Sequence, residues 1–250
     1  MPINHGDRKF RIKQTIRSAL LKLKGKQTLH FLHIGKTGGT AVKSALEPHL
    51  VADRFFIRLH PHRRILADIP GGDAVIFFLR NPVTRFVSGF YSRQRQGQPR
   101  IHSPWSADEK IAFERFKTPN ELAIALSGED RTRREQAEAA MRSIQHVRDS
   151  YWSWFGTRDY FLSRLGDIFF IGFQESLSDD VKTLSLKLEL PDCIELPNDN
   201  VNSHRNPDSV DRNLQDTAME NIKRWYAIDF DFLELCKQKA KEINRIEPGF

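Results

Sequence analysis

The stretch Leu29-His30-Phe31-Leu32-His33-Ile34-Gly35-Lys36-Thr37-Gly38-Gly39-Thr40-Ala41-Val42 decides how this chain is read. Leu29–Ile34 is a short apolar run, a glycine-rich turn follows it, and the apolar residues of Ala41–Leu50 recur at helical spacing. Strand, glycine-rich turn and helix in that order form a phosphate-type unit. The glycines let backbone N–H groups approach an anion, and the helix adds its positive end. Lys36 brings charge, and Thr37 and Thr40 bring hydroxyl donors. The order differs from a Walker A loop, which places four residues between its first glycine and a Gly-Lys pair. Here the lysine precedes the glycines, which lowers the weight of ATP-dependent kinase chemistry. By its residues alone the segment also reads as a plain glycine-rich turn.

Working outward, Arg54–Leu59 reads as a second strand. Ala74–Leu79 is apolar throughout, as expected of a central parallel strand buried on both faces. Asn81 can cap the next helix, with Pro82 at its first position, where a missing N–H costs nothing. Val83, Phe86, Val87, Phe90 and Tyr91 then form one apolar face. Asp167–Phe173 reads as another buried strand, and Ser178–Leu190 as a helix capped by Ser178 with Asp179 and Asp180 in its first turn. Two helices, roughly Val210–Ala227 and Phe230–Ile246, close the chain. Residues 94–164 form a mainly helical insertion. Strands alternating with helices predict a three-layer α/β domain with a mostly parallel central sheet flanked by helices.

The chain has 39 Lys and Arg against 32 Asp and Glu, a net charge of +7. Residues 1–26 hold eight of those bases and one acid, so the remainder carries 31 of each and is neutral. The basicity therefore belongs to an N-terminal extension, residues 1–27, and argues against a nucleic-acid-binding body at 28–250. Within 8–24, Ile12, Ile16, Ala19, Leu20 and Leu23 share a helical stripe. That pattern suits either peripheral contact with an anionic membrane or packing on the body or a partner. No run reaches the roughly 18 apolar residues of a membrane span, and no apolar stretch follows the basic start as in a signal peptide. Two cysteines, Cys193 and Cys236, are too few for a disulfide framework or a zinc site and suit a reducing compartment, so a cytoplasmic location is expected.

A second chemical segment is Leu79-Arg80-Asn81-Pro82-Val83-Thr84-Arg85-Phe86-Val87-Ser88. Arg80 stands at the carboxyl end of the central strand, where open α/β sheets bind ligands. An arginine fork with a hydroxyl, here Ser88, makes a phosphate clamp; alone, Arg80 also suits a structural ion pair.

Together the two segments resemble the motifs of carbohydrate sulfotransferases that use 3′-phosphoadenosine 5′-phosphosulfate (PAPS), most nearly the heparan sulfate 2-O-sulfotransferase group. The first resembles the family's Pro-Lys-Thr-Gly-Gly-Thr loop. The second resembles its Arg-Asp-Pro motif followed by Arg-Phe and Ser. The likeness covers about 29–95 well and 160–243 loosely. Gly35 stands where the family has proline, and Asn81 where it has aspartate. The resemblance implies a P-loop-like sulfotransferase fold and a sulfuryl transfer from PAPS to a carbohydrate hydroxyl, with no metal. It assigns Lys36, Thr37, Gly38, Gly39 and Thr40 to the 5′-phosphosulfate, and Arg80 and Ser88 to the 3′-phosphate. Within Asn202–Arg205, His204 and Arg205 would complete the nucleotide pocket.

A sugar hydroxyl needs a base. Leu59-His60-Pro61-His62 resembles the His-Gly-His segment of the 2-O-sulfotransferases, whose second histidine is the base. That assigns His62, with His60 in support; the bland alternative is two surface histidines beside Arg63 and Arg64. Arg80, Arg85, Arg93, Arg95 and Arg100 lie in a stretch without acids, and Arg131, Arg133 and Arg134 form a second cluster. They suit either an anionic or heavily hydroxylated glycan or solvated faces. Tyr151, Trp152, Trp154 and Phe155 suit either ring stacking or a core. Two rival functions are an ATP-dependent P-loop kinase or hydrolase and a non-catalytic glycan-binding protein.

Overall fold

The computed structural model describes residues 25–99, 101–190, 194–197 and 211–245. The basic stripe at 8–24, Arg100, Cys193, His204 and Arg205 lie outside those residues. Four strands, β1 (Gln27–Leu32), β2 (Phe55–Leu59), β3 (Ala74–Leu79) and β4 (Ile168–Phe173), form one sheet in the order β2-β1-β3-β4, with every pair parallel. The helices are α1 (Gly39–Leu46), α2 (Pro82–Gln94), α3 (Ala107–Arg115), α4 (Pro119–Ala125), α5 (Arg131–Ser143), α6 (Trp152–Phe155), α7 (Arg158–Ser163), α8 (Leu177–Lys187), α9 (Asp216–Trp225) and α10 (Ala227–Ile243).

The three layers follow from the alternation of side chains along β3. Val75, Phe77 and Leu79 face a core built with Phe155, Phe161, Phe232 and Cys236, from α6, α7 and α10. Ala74, Ile76 and Phe78 face the opposite core, with Val42 and Leu46 of α1 and Val181 and Leu184 of α8. Both faces are covered, so all six residues of β3 are buried. The insertion has its own core. Phe86, Phe90 and Tyr91 of α2 pack on Phe113, Leu122, Ala137 and Met141 from α3, α4 and α5, closed by Ile222 of α9. Tyr151, Trp154 and Phe155 belong to the first core, which settles their role as packing.

Side-chain caps mark five of these ten helix starts. Asn81 Oδ1 accepts from Val83 N at 2.9 Å, with Pro82 at the first position of α2. The expected Ser178 cap is corrected: α8 begins at Leu177, after a turn through Gln174–Ser176. There Asp180 accepts from Phe173 N at 2.6 Å and Ser176 Oγ at 2.9 Å, so the acid ties α8 back to the end of β4. Lys26 already bonds the body, Nζ donating to Ala52 O at 2.7 Å.

Candidate active site

The strand order reverses between β1 and β3, and a cavity of about 1230 Å³ opens there at the carboxyl ends of the strands. Residues that follow each strand reach it: Lys36 after β1, His62 after β2, Arg80 after β3, and Glu175 after β4. Gly38, Gly39, Thr40 and Ser88 line it as well. The wall also includes His33, Lys43, Thr84, His146, Glu175 and Arg212, polar residues to which the sequence assigns no role.

The loop is built for an anion. Gly38, with φ 83°, precedes α1, and no side chain caps the helix. The first N–H groups of a helix have no partner within it, so here they and the helix dipole are available to a ligand. Lys36 is itself held at φ 67°, an uncommon conformation for a non-glycine residue. Desolvation, then the neighbouring Arg80 and Arg95, push its amine down to about 7. The Thr37 hydroxyl is not turned to the cavity. It donates to Ile34 O at 3.0 Å and braces the loop from within.

Arg80 spans the two segments. Its Nε donates to Thr84 Oγ1 at 2.9 Å and its Nη1 to Lys36 O at 3.5 Å. The Tyr151 hydroxyl donates to the Arg80 carbonyl and accepts from Arg80 N, fixing the strand end. Glu175 Oε1 accepts from Asn81 N at 2.8 Å.

His62 and His60 part company. The His62 ring lies 3.7 Å, centroid to centroid, from His33 and hydrogen-bonds the His33 main chain, which orients it. Desolvation, with Lys43 and Lys36 nearby, pushes it down to about 4. The residue is exposed and lines the cavity, and with its pKa lowered His62 is neutral at pH 7 and able to accept a proton. His60 does not line the cavity. It is buried, stacked on His30 with its Nε2 2.8 Å from His30 Nδ1, and His30 Nε2 meets Asp73 Oδ2 at 3.3 Å. Strand alternation would turn residues two apart to the same side, but β2 ends at Leu59, and the turn through His60-Pro61-His62 sends the two histidines to different sides.

The arginines also divide. Arg85 is buried, donating to Gly35 O at 3.1 Å and Asp149 O at 2.7 Å. Arg93 reaches the cavity wall, but both Glu109 oxygens hold its guanidinium at 2.7 Å. The second cluster lies away from the cavity: Arg131 pairs with Glu135, Arg133 bonds Arg115 O, and Arg134 bonds Gly128 O. An acid-free stretch of sequence thus receives its acids from elsewhere in the fold.

Comparison with known families decides what this arrangement belongs to. A model described as the sulfotransferase family matches residues 21–235. The chain belongs to the sulfotransferase family. The match spans both cofactor-like segments, the histidine segment and the whole insertion. No curated protein matches this sulfotransferase. Its all-parallel sheet with helices on both faces is the P-loop-like fold expected of the family, and the activity that follows is sulfuryl transfer. Among the described residues of the sulfotransferase, no cluster of three or more His, Cys, Asp or Glu could hold a metal ion, and no helix is long and apolar enough to cross a membrane.

Proposed function

We propose that this sulfotransferase moves the sulfuryl group of PAPS onto a carbohydrate hydroxyl. The observation that carries the reading is the convergence of Lys36, Arg80, Ser88 and His62 on one cavity in a chain of this family. The donor set fits a nucleotide phosphorylated on both sides. An open helix N-terminus with Lys36 suits one anionic end. The Arg80 fork with Thr84 and Ser88 suits the other, with Arg212 on the same wall.

Bound PAPS supplies the activated sulfuryl group. Lys36 and the first-turn amides of α1 hold the negative charge that builds on the 5′-phosphate side, an electrostatic role of the kind that dominates phosphoryl transfer. The free ring nitrogen of His62 takes the proton from the acceptor hydroxyl as that oxygen bonds to sulfur and the sulfur–oxygen bond to the phosphate breaks. The products are a sulfate ester and adenosine 3′,5′-bisphosphate. Incubation with ³⁵S-labelled PAPS and a panel of glycans tests the acceptor class, and an absence of labelled glycan would count against it. Cofactor binding without turnover would favour a glycan-binding role.

Two binding predictions follow from the site. Adenosine 3′,5′-bisphosphate binds far better than ADP by calorimetry, and Arg80→Ala removes about 10- to 100-fold of that preference, the worth of a charge-assisted hydrogen bond. Equal affinities of the wild type for both nucleotides would sink the donor assignment.

The second prediction concerns protons. Lys36 is held down to about 7 in the free protein, and an arriving dianion favours the ammonium. Binding therefore takes up a proton above pH 7, and affinity weakens there by up to about tenfold per pH unit. Calorimetry in buffers of different ionisation heat reads the uptake directly. Lys36→Met abolishes it, whereas a wild type with flat affinity up to pH 9 would contradict the assignment.

A further inference from the structure

His146 comes from the turn after α5, within the insertion, and reaches the cavity wall beside the phosphate-type loop. Its backbone is held at φ 68°, which few non-glycine residues adopt unless the surrounding structure imposes it. Lys36, which lines the same cavity, is held likewise at φ 67°.

Two glycines, Gly35 in the phosphate-type loop and Gly89 directly after Ser88, make room for His146. A Cβ at Gly35 would lie 2.9 Å from His146 Nδ1, and one at Gly89 of α2 would lie 3.3 Å from the His146 carbonyl carbon and Cβ. The departure from the family's proline at position 35 thus has a local cause: any side chain there would strike the imidazole. The His146 ring stands 5.8 Å, centroid to centroid, from that of His62. Among the described residues, no hydrogen bond to its ring nitrogens is formed. Desolvation and the nearby Lys36 push it well below the usual histidine range, so the ring is neutral and carries one N–H donor and one acceptor at pH 7.

We infer that His146 is a donor-contacting residue whose imidazole N–H hydrogen-bonds the sulfuryl group presented between Lys36 and His62. This rests on the reading of PAPS as donor. Negative charge on the sulfuryl oxygens is what a fixed N–H donor at that position recognises, and Gly35 brings the ring against the loop that would hold the phosphosulfate.

Calorimetry on the full chain, with PAPS and with adenosine 3′,5′-bisphosphate, tests the inference without needing an acceptor. His146→Gly suits the left-handed backbone and removes the ring. It should weaken PAPS about tenfold while leaving the bisphosphate within about twofold, the expected loss of one hydrogen bond to a charged group. His146→Asn tolerates the same φ and retains an N–H donor, so it should keep most of the PAPS affinity. An unchanged ratio of the two affinities in His146→Gly overturns the proposal, and so does an equal loss for both ligands, which would mark a packing role. A wild type that binds neither nucleotide overturns the donor reading, and this inference with it. A wild type that binds both while the ratio in the variant stays fixed overturns the His146 role alone.

Discussion

Replacing His62 by alanine lowers kcat by roughly 10²–10⁴-fold, the usual worth of a positioned general base, and leaves the affinity for adenosine 3′,5′-bisphosphate nearly unchanged. His62 lines the cavity just past the end of β2, and one of its ring nitrogens is committed to the His33 main chain. Only the other is free to work. The pH profile carries a second signature. A base acts in its neutral form, so the rate rises with pH through the pKa of His62. Desolvation with Lys43 and Lys36 depresses that value towards 4, so the ascending limb lies below the ordinary histidine range of about 6.5 and the rate is level around neutrality. His62→Ala loses the limb. His60→Ala acts differently, through the buried contact with His30, and lowers stability more than chemistry. Wild-type turnover in His62→Ala would move the base elsewhere.

Arg85→Met should destabilise the fold by about 3–5 kcal/mol, because it leaves a buried carboxylate without its cation. Arg85 and Asp229 are 2% and 0% exposed at their side chains and lie 3.8 Å apart. Asp229 accepts from Tyr151 N at 3.0 Å and also holds Ser150, while the Arg85 guanidinium stacks over Tyr151 and Trp154. For a chain of this size, the loss corresponds to a fall in Tm of roughly 6–20 °C. Burial already raises the Asp229 pKa, and removing Arg85 raises it further. Between the unfolded and folded values, the native state binds more protons than the unfolded one. The stability of the variant therefore falls as pH rises through that window and recovers on acidification. Adding Asp229→Asn should restore much of the loss at neutral pH. Thermal melts of the single and double variants across pH check this, and an unchanged Tm in Arg85→Met would show that the pair contributes nothing. Because Arg85 also holds Gly35 O, the single variant should loosen the cofactor loop as well.

Much of this protein was determined by sequence alone, wherever a local pattern carries its own physical cause. Ala74–Leu79 can be a strand with two buried faces because nothing in it is polar, and that is what β3 is. Asn81 and Pro82 start α2 because a side-chain acceptor and a missing N–H answer the needs of a helix end at that point. The turn from Gly35 to Thr40 can approach an anion wherever it is folded. What required the tertiary structure are the choices made between distant segments. Only the fold decides that His60 pairs inward with His30 while His62 faces the cavity, two residues apart on one strand exit. Only the fold brings Glu109 to Arg93 and Asp229 to Arg85, taking two arginines out of an apparently acid-free ligand lining. His146, in an insertion without a recognisable motif, sits in a left-handed turn against Gly35 and Gly89. No periodicity encodes that contact: which charges are neutralised and which rings meet depends on packing between elements far apart in the chain.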